Sequence, residues 1–361
     1  MATREGTWAY RDAHDGFART FFRRFGDGIA SSIGVGTYPG EPTDERDAAY
    51  HDAIVTALES GSNVVDTAIN YRHQRSERVV GQALADADID REAAVVATKG
   101  GFIPFKGERP ADPGAFVRRE YVDTGLVDRA DLVRGQHCIA PAFLDDQLDR
   151  SLSNLGLDTI DCYYVHNPET QLAEHDRETV YDRLGAAFEQ LERRADSGDI
   201  AHYGVATWDA FRVPADHERY LSLPEVVERA RAAADAVGNT ATHFRAIQLP
   251  FNVFMADAFT VRSHEGADGP QSALWFAQEA GLDVFTSASI MQGKLSTEIP
   301  DSVEARLAGE SRAQRAINFA RSAPGVTCSL VGTGSVTHAE ENVAAGRHEP
   351  LGADAFDAIF E

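Results

Sequence analysis

Eight short apolar segments with helix-like segments between them fill the stretch from Ile33 to Val331, and nothing else in the chain narrows its fold as much. The strand readings are Ile33 to Tyr38, Asn63 to Asp66, Ala93 to Lys99, Ile160 to His166, Ile200 to Val205, Ala246 to Leu249, Leu282 to Thr286 and Val326 to Val331. Helical spacing or capping residues mark Thr43–Leu58, Ser76–Ala85, Ala142–Leu155, Glu178–Asp196, Leu223–Val237, Ser272–Glu279 and Ala313–Ser322, with two more helices near Thr337–Ala345 and Ala353–Phe360. Each crossover is long enough to return the chain parallel, which predicts a closed (β/α)8 TIM-type barrel. No G-x-G-x-x-G follows the first strand, and its absence counts against an open dinucleotide-binding sheet. Before the first strand, Thr20–Phe25 and Ile29–Ile33 flank Gly26-Asp27-Gly28 and read as a hairpin.

At 361 residues one α/β barrel accounts for the whole chain, so residues 1–361 read as one domain, with 1–20 as a loose leader showing neither period. Lys+Arg 34 against Asp+Glu 57 gives a net charge of -23, which opposes nucleic acid and anionic membranes as partners. Lysine occurs only at Lys99, Lys106 and Lys294, and this acidic, lysine-poor balance resembles proteins of cells that keep molar salt in the cytoplasm. Cys138, Cys162 and Cys328 are odd in number and far apart, so neither a disulfide framework nor a CxxC metal site is expected and a reducing cytoplasm fits. The charged first twenty residues read as no signal peptide, and no apolar run reaches membrane-spanning length.

Three neighbouring strands end in an ionisable residue where turn residues take over: Asp66, Lys99 and His166. In a parallel barrel those ends share one mouth, where chemistry is kept. Tyr71 lies five residues past the first of them. An Asp66–Lys99 pair beside Tyr71 would stabilise its charged form and lower its pKa from about 10 towards working pH, making Tyr71 a general acid with His166 orienting a carbonyl oxygen. Between Lys99 and Ala142 runs a segment, 100–141, far longer than an ordinary connection. Leaving the barrel at that mouth, it either lines a pocket with Phe102, Phe105, Phe116, Tyr121 and His137 or is an excursion with its own small core.

Asp66-Thr67-Ala68-Ile69-Asn70-Tyr71 with Ser76-Glu77 and Gly81, Thr98-Lys99, and Tyr163-Tyr164-Val165-His166 together resemble the aldo-keto reductase superfamily. So do Tyr203-Gly204-Val205, Ile247-Gln248, Gln292-Gly293-Lys294-Leu295 and Glu341-Asn342, while Phe22 to Gly26 is similar to that family's bottom-closing hairpin. The resemblance implies NAD(P)H-dependent reduction of an aldehyde or ketone, with Tyr71 as proton donor, Lys99 and Asp66 tuning it, and His166 orienting the small carbonyl substrate. It implies no metal. The second implied role is a cofactor-binding regulatory or interaction subunit with little turnover.

By the same resemblance, NADP or NAD contacts Thr37, Gln248 and Thr207, the loop carrying Ser287, Ile290, Gly293 and Lys294, and the final segment carrying Thr333, Ser335, His338, Glu341 and Asn342. The chain departs from the family pattern at Ala206 and Thr207, where serine and asparagine are usual, and at Ser287, where an aromatic ring is usual. From Gly332 to His338 there is no arginine or lysine for a 2'-phosphate, which predicts relaxed use of both dinucleotides or a preference for NADH. The surplus of carboxylates predicts a fold that gains stability as salt rises to molar levels, because screening relieves self-repulsion. A melting temperature that climbs steadily with potassium chloride is the expected outcome, and a flat or falling one overturns it.

Overall fold

The computed structural model describes all 361 residues. Eight parallel strands close into a barrel: β3 (Ile33–Gly36), β4 (Val64–Asp66), β5 (Val95–Gly100), β6 (Ile160–His166), β7 (Ile200–Ala206), β8 (Phe244–Pro250), β11 (Asp283–Ser287) and β12 (Val326–Gly332). Parity along each strand sorts the side chains. Val64, Val95, Ala97, Cys162, Tyr164, Ala246, Phe285, Cys328 and Leu330 fill the interior, while Val65, Val96, Tyr163, Val165 and Ile247 face the helices. Gly204 of β7 is required by close packing, since a Cβ there would lie 1.9 Å from the Ala246 carbonyl oxygen of the neighbouring strand.

The helices form because polar caps and one apolar face agree with the strand spacing. Helix α2 (Asp44–Glu59) starts where the Thr43 hydroxyl accepts the Arg46 N–H, and α6 (Arg177–Asp196) where Asp176 accepts the Thr179 N–H. Helix α5 (Pro141–Leu155) has proline at its first position and ends on Gly156 in the left-handed conformation, φ 64°. Helices α3 (Arg75–Asp86), α7 (Leu223–Val237), α9 (Ala273–Glu279), α11 (Arg312–Ser322) and α12 (Val336–Ala344) complete the ring, with short helices α4 (Pro113–Val117), α8 (Asp257–Thr260) and α10 (Asp301–Glu304) in the connections and α13 (Ala353–Asp357) as the last element. A second hairpin, β9 (His264–Gly266) and β10 (Gly269–Gln271), precedes α9. No helix is long and apolar enough to cross a membrane.

The hairpin of β1 (Phe22–Phe25) and β2 (Gly28–Ser31) closes the end of the barrel opposite the strand C-termini, and Phe25 meets Phe285 edge-on at 5.4 Å. The first twenty residues are not a loose leader. They contain α1 (Arg4–Ala13), capped by Thr3 and packed on the same end, with Thr7 and Tyr10 buried and the Tyr10 hydroxyl donating to the Leu58 carbonyl. Sequence reading missed it although the segment is amphipathic, because the two residues it buries are Thr7 and Tyr10 and its further anchors are backbone bonds such as Thr3 N–H to the Glu92 carbonyl, which no apolar run announces. The long segment after β5 divides its aromatics: Phe102 reaches the mouth, whereas Phe116, Tyr121, Ile103, Val127 and Cys138 form a separate small core with Phe143. Only Phe102 of the five expected pocket residues lines the cavity. Replacing Tyr10 by alanine removes a buried ring and a hydrogen bond, and thermal or urea unfolding is expected to show a loss of about 3 kcal/mol; an unchanged midpoint would return residues 1–20 to the status of a leader.

Candidate active site

Strand parity carries upward to the mouth. Asp66 follows Val64 by two, Lys99 follows Ala97, His166 follows Tyr164 and Gln248 follows Ala246, so all four point inward at the C-terminal end. The Lys99 ammonium, fully buried, donates to Asp66 Oδ1 at 2.5 Å and to the Thr67 carbonyl at 2.8 Å. Gln248 Nε2 donates to the other Asp66 oxygen at 2.8 Å. Lys99 Nζ lies 5.1 Å from the centre of the Tyr71 ring, and the Tyr71 and His166 rings are 5.9 Å apart. The four catalytic candidates therefore meet at one point.

Their protonation differs from the expectation for Tyr71. Burial, then the Asp66 carboxylate and the Tyr38 phenol, hold Tyr71 well above the ordinary tyrosine value rather than below it. The Lys99 charge is spent on Asp66 at bonding distance, so the phenol meets a nearly neutral pair and dry surroundings. Burial also pushes the Asp66 carboxyl up and the Lys99 ammonium down, and the contact between them opposes both. His166 is held well below the usual histidine range by burial, then by the Lys99 and His137 charges, so its ring is neutral. At neutral pH the mouth presents a protonated phenol and a neutral imidazole.

These groups form the floor of a cavity of about 870 Å³ whose wall includes Thr37, Tyr38, Trp208, Phe102 and the loop after β11. Three buried polar atoms on its lining lack any hydrogen-bond partner: His166 Nδ1, Asn70 Oδ1 and Thr207 Oγ1. Unpaired polar atoms in a dry wall are costly and suit an occupant with its own donors and acceptors. Backbone strain gathers here too. Arg72, His73, Gln74, Asn167, Ala288, Met291 and Gln292 are non-glycine residues in the left-handed region, all in the three loops that frame the mouth. Such conformations cost about 1 kcal/mol each and persist only where neighbours hold them. The Arg72–Asp47 ion pair and the bonds from Gln74 Nε2 to the Phe105 carbonyl and from Gly107 N–H to the His73 carbonyl do so.

Of the other predicted residues, Gln248, Thr37, Thr207, Ser287, Ile290, Gly293, Ser335, His338, Glu341 and Asn342 line the cavity. Thr333 and Lys294 do not. The Thr333 hydroxyl turns inward, donating to the Val331 carbonyl and accepting from Asn342, and Lys294 is exposed outside the wall. The Ser335 hydroxyl is occupied in capping α12, and Glu341 binds Ser311. The segment Gly332–His338 itself holds no arginine or lysine, but Arg46 comes beside it from outside, its guanidinium 3.5 Å from the Gly334 carbonyl and on the cavity wall. Sequence reasoning searched the wrong part of the chain, because Arg46 comes from the first turn of α2. A cation there works against the helix dipole, and that local oddity beside Asp44, Glu45 and Asp47 was the available signal.

Residues 32–218 match the sequence profile described as the Aldo/keto reductase family, and the chain belongs to that family. Among curated relatives, it is 32% identical over 202 residues to the NADH-specific methylglyoxal reductase of Escherichia coli (strain K12), covering 54% of this chain and 53% of the relative. It is 26% identical over 166 residues to the putative voltage-gated potassium channel subunit beta of Schizosaccharomyces pombe, covering 46% and 38%. The chain spans about half the length of the curated relatives it matches. Among solved structures, the glycerol dehydrogenase of Gluconobacter oxydans superposes with TM-score 0.64 at 19% identity over 95% of both chains. An aldo/keto reductase of Klebsiella pneumoniae in complex with NADP and acetate gives 0.62 at 18%, covering 94% of this chain and 95% of that one, a likeness of fold.

Proposed function

We propose that this chain reduces a small aldehyde or ketone to an alcohol with NAD(P)H in a reducing cytoplasm, using Tyr71 as the general acid. The observation that carries the reading is a protonated, desolvated Tyr71 beside the Asp66–Lys99 pair and a neutral His166 at the floor of one cavity. A bound nicotinamide supplies the hydride. The unpartnered Thr207 Oγ1 and Asn70 Oδ1, with Gln248, suit a polar ring amide near the floor, and His338, Asn342 and Arg46, with the Ser335 hydroxyl proton that capping leaves free, would hold the far end of the dinucleotide.

The side chains divide the remaining work. His166, uncharged, places a carbonyl oxygen against the Tyr71 hydroxyl by a hydrogen bond without competing for the proton. As the carbonyl carbon accepts hydride, its oxygen becomes an alkoxide and takes the phenolic proton. The Lys99 ammonium, 5.1 Å from the ring centre, stabilises the phenolate left behind, so its charge contributes in the transition state more than in the resting enzyme. Asp66 and Gln248 fix where that ammonium sits. The second reading is a cofactor-binding regulatory or interaction subunit with little turnover, and the Schizosaccharomyces pombe relative's name, a channel subunit, is what favours it.

Tyr71→Phe is expected to cut aldehyde reduction by at least about a thousandfold while leaving the dinucleotide dissociation constant within about twofold, because it removes the proton donor alone. Fluorescence titration with NADH and NADPH beside a steady-state assay on an aldehyde panel tests this; turnover at the wild-type rate in the variant would end the assignment. Arg46 changes the expected cofactor balance. Arg46→Ala should weaken NADPH by about tenfold, near 1.4 kcal/mol, and leave NADH unchanged, and equal losses for both would mean that Arg46 does not read the phosphate.

A further inference from the structure

The wall that carries Trp208 is held by a side chain outside the proposed proton-transfer set. Glu169 lies three residues past His166, in the short 3-10 turn Pro168–Ala173, and is 2% exposed. Its Oε1 accepts the backbone N–H groups of Trp208 at 2.7 Å and Asp209 at 3.0 Å. From the outer side, Arg212 Nε donates to the Trp208 carbonyl at 2.7 Å and Arg212 Nη2 to the Asp209 carboxylate at 2.9 Å. The first residue after β7, Thr207, donates its N–H to the Gln248 carbonyl, so the N–H groups of residues 207, 208 and 209 are all bonded. The Trp208 ring is left 45% exposed at the mouth.

We propose that Glu169 is a positioning residue, whose ionised carboxylate fixes the turn after β7 and sets where Trp208 stands on the cavity wall, and thereby the affinity for substrate. The link to substrate rests on the carbonyl-reductase reading; the link to Trp208 does not.

Three observations separate this from an ordinary structural contact. No cation bonds the carboxylate, and its second oxygen is buried without a hydrogen-bond partner. Burial, against the backbone N–H groups of Asp209, Trp208 and Glu169 itself, pushes the carboxyl up to about 6, and Asp209, itself paired with Arg212 and Arg219, is the charged neighbour that adds to the rise. The folded chain therefore binds more protons at this group than the unfolded chain between the ordinary carboxyl value and about 6, so the group's contribution to stability falls as pH rises through that window. At neutral pH the ionised form is retained at a cost to the fold. A buried charge that weakens the fold while ordering a cavity wall is the pattern of stability given up for function. Protonation weakens both bonds, because an ionised acceptor binds N–H groups roughly twice as strongly as a neutral one.

The test uses the full chain and a glutamine that keeps the shape and removes the charge. Trp208 emission, obtained by subtracting the Trp208→Phe spectrum, is expected to change in the wild type with a midpoint near pH 6 and to be flat in Glu169→Gln. On an aromatic aldehyde, Glu169→Gln is expected to raise KM several-fold at neutral pH with kcat changing less, and its melting temperature should equal or exceed the wild type's. Glu169→Asp, which keeps the charge on a shorter stem, should recover part of the KM and the pH response. A wild-type emission with no transition near pH 6, an unaltered transition in Glu169→Gln, or a lower melting temperature in that variant with KM unchanged would each overturn the proposal. If no carbonyl compound is turned over at all, the reductase reading fails while the emission and melting measurements still decide the role of Glu169.

Discussion

The contact between Lys99 and Asp66 is the constraint on which the mouth depends. Both groups are taken from water, and an ion pair so buried breaks even only when its geometry is good and its remaining donors and acceptors are used. Here the Thr67 carbonyl and the Gln248 amide complete it, drawing on β4, the turn after β4, β5 and β8. Strands on opposite sides of the barrel are thus fixed against one another at the level of the cavity floor. Burial, and then the Asp66 carboxylate beside it, is why the neighbouring phenol keeps its proton in the resting state. In the proposed reduction, an ammonium already held by a carboxylate would act chiefly when a phenolate forms beside it.

Around this floor lie most of the left-handed non-glycine residues and three unpartnered polar atoms of the cavity lining. The left-handed residues in the loops after β4, β6 and β11, the unpartnered atoms of His166, Asn70 and Thr207, and the uncompensated carboxylate of Glu169 lie at the C-terminal end of the strands. At the opposite end, α1 and the first hairpin bury side chains in ordinary conformations, and Asp161 is satisfied by Arg91 and by the N–H groups of Ala2 and Val96. The closed end is packed on regular elements, and the left-handed loop residues that frame the cavity sit at the open end. That division follows from the barrel, because loops at the strand C-termini can distort without disturbing the packed interior.

Much was legible from order and parity. The eight strands read from the sequence are the eight of the barrel, since a parallel strand covered on both faces needs a continuous apolar run that few other segments possess. Asp66, Lys99 and His166 were visible because each breaks such a run at its end. Helix α1 was not, because its anchors are one threonine, one tyrosine and backbone contacts. The split of the long segment after β5, with Phe102 at the mouth and Phe116 and Tyr121 in their own core, was open, since aromatic composition is the same for either use.

What the sequence determined by itself is the set of groups and the side of the barrel on which they meet, because a period of two and a fixed strand order leave no freedom in either. What the tertiary structure decided is their state and their company. Whether Tyr71 is easier or harder to ionise turned on the balance between a 2.5 Å ion pair and the burial around it, a quantity no spacing encodes. Arg46 meets the Gly334 carbonyl across 288 residues, and Glu169 binds the Trp208 N–H across 39. Electrostatics depends on distance through space and on exclusion of water, and both are set only when the barrel closes.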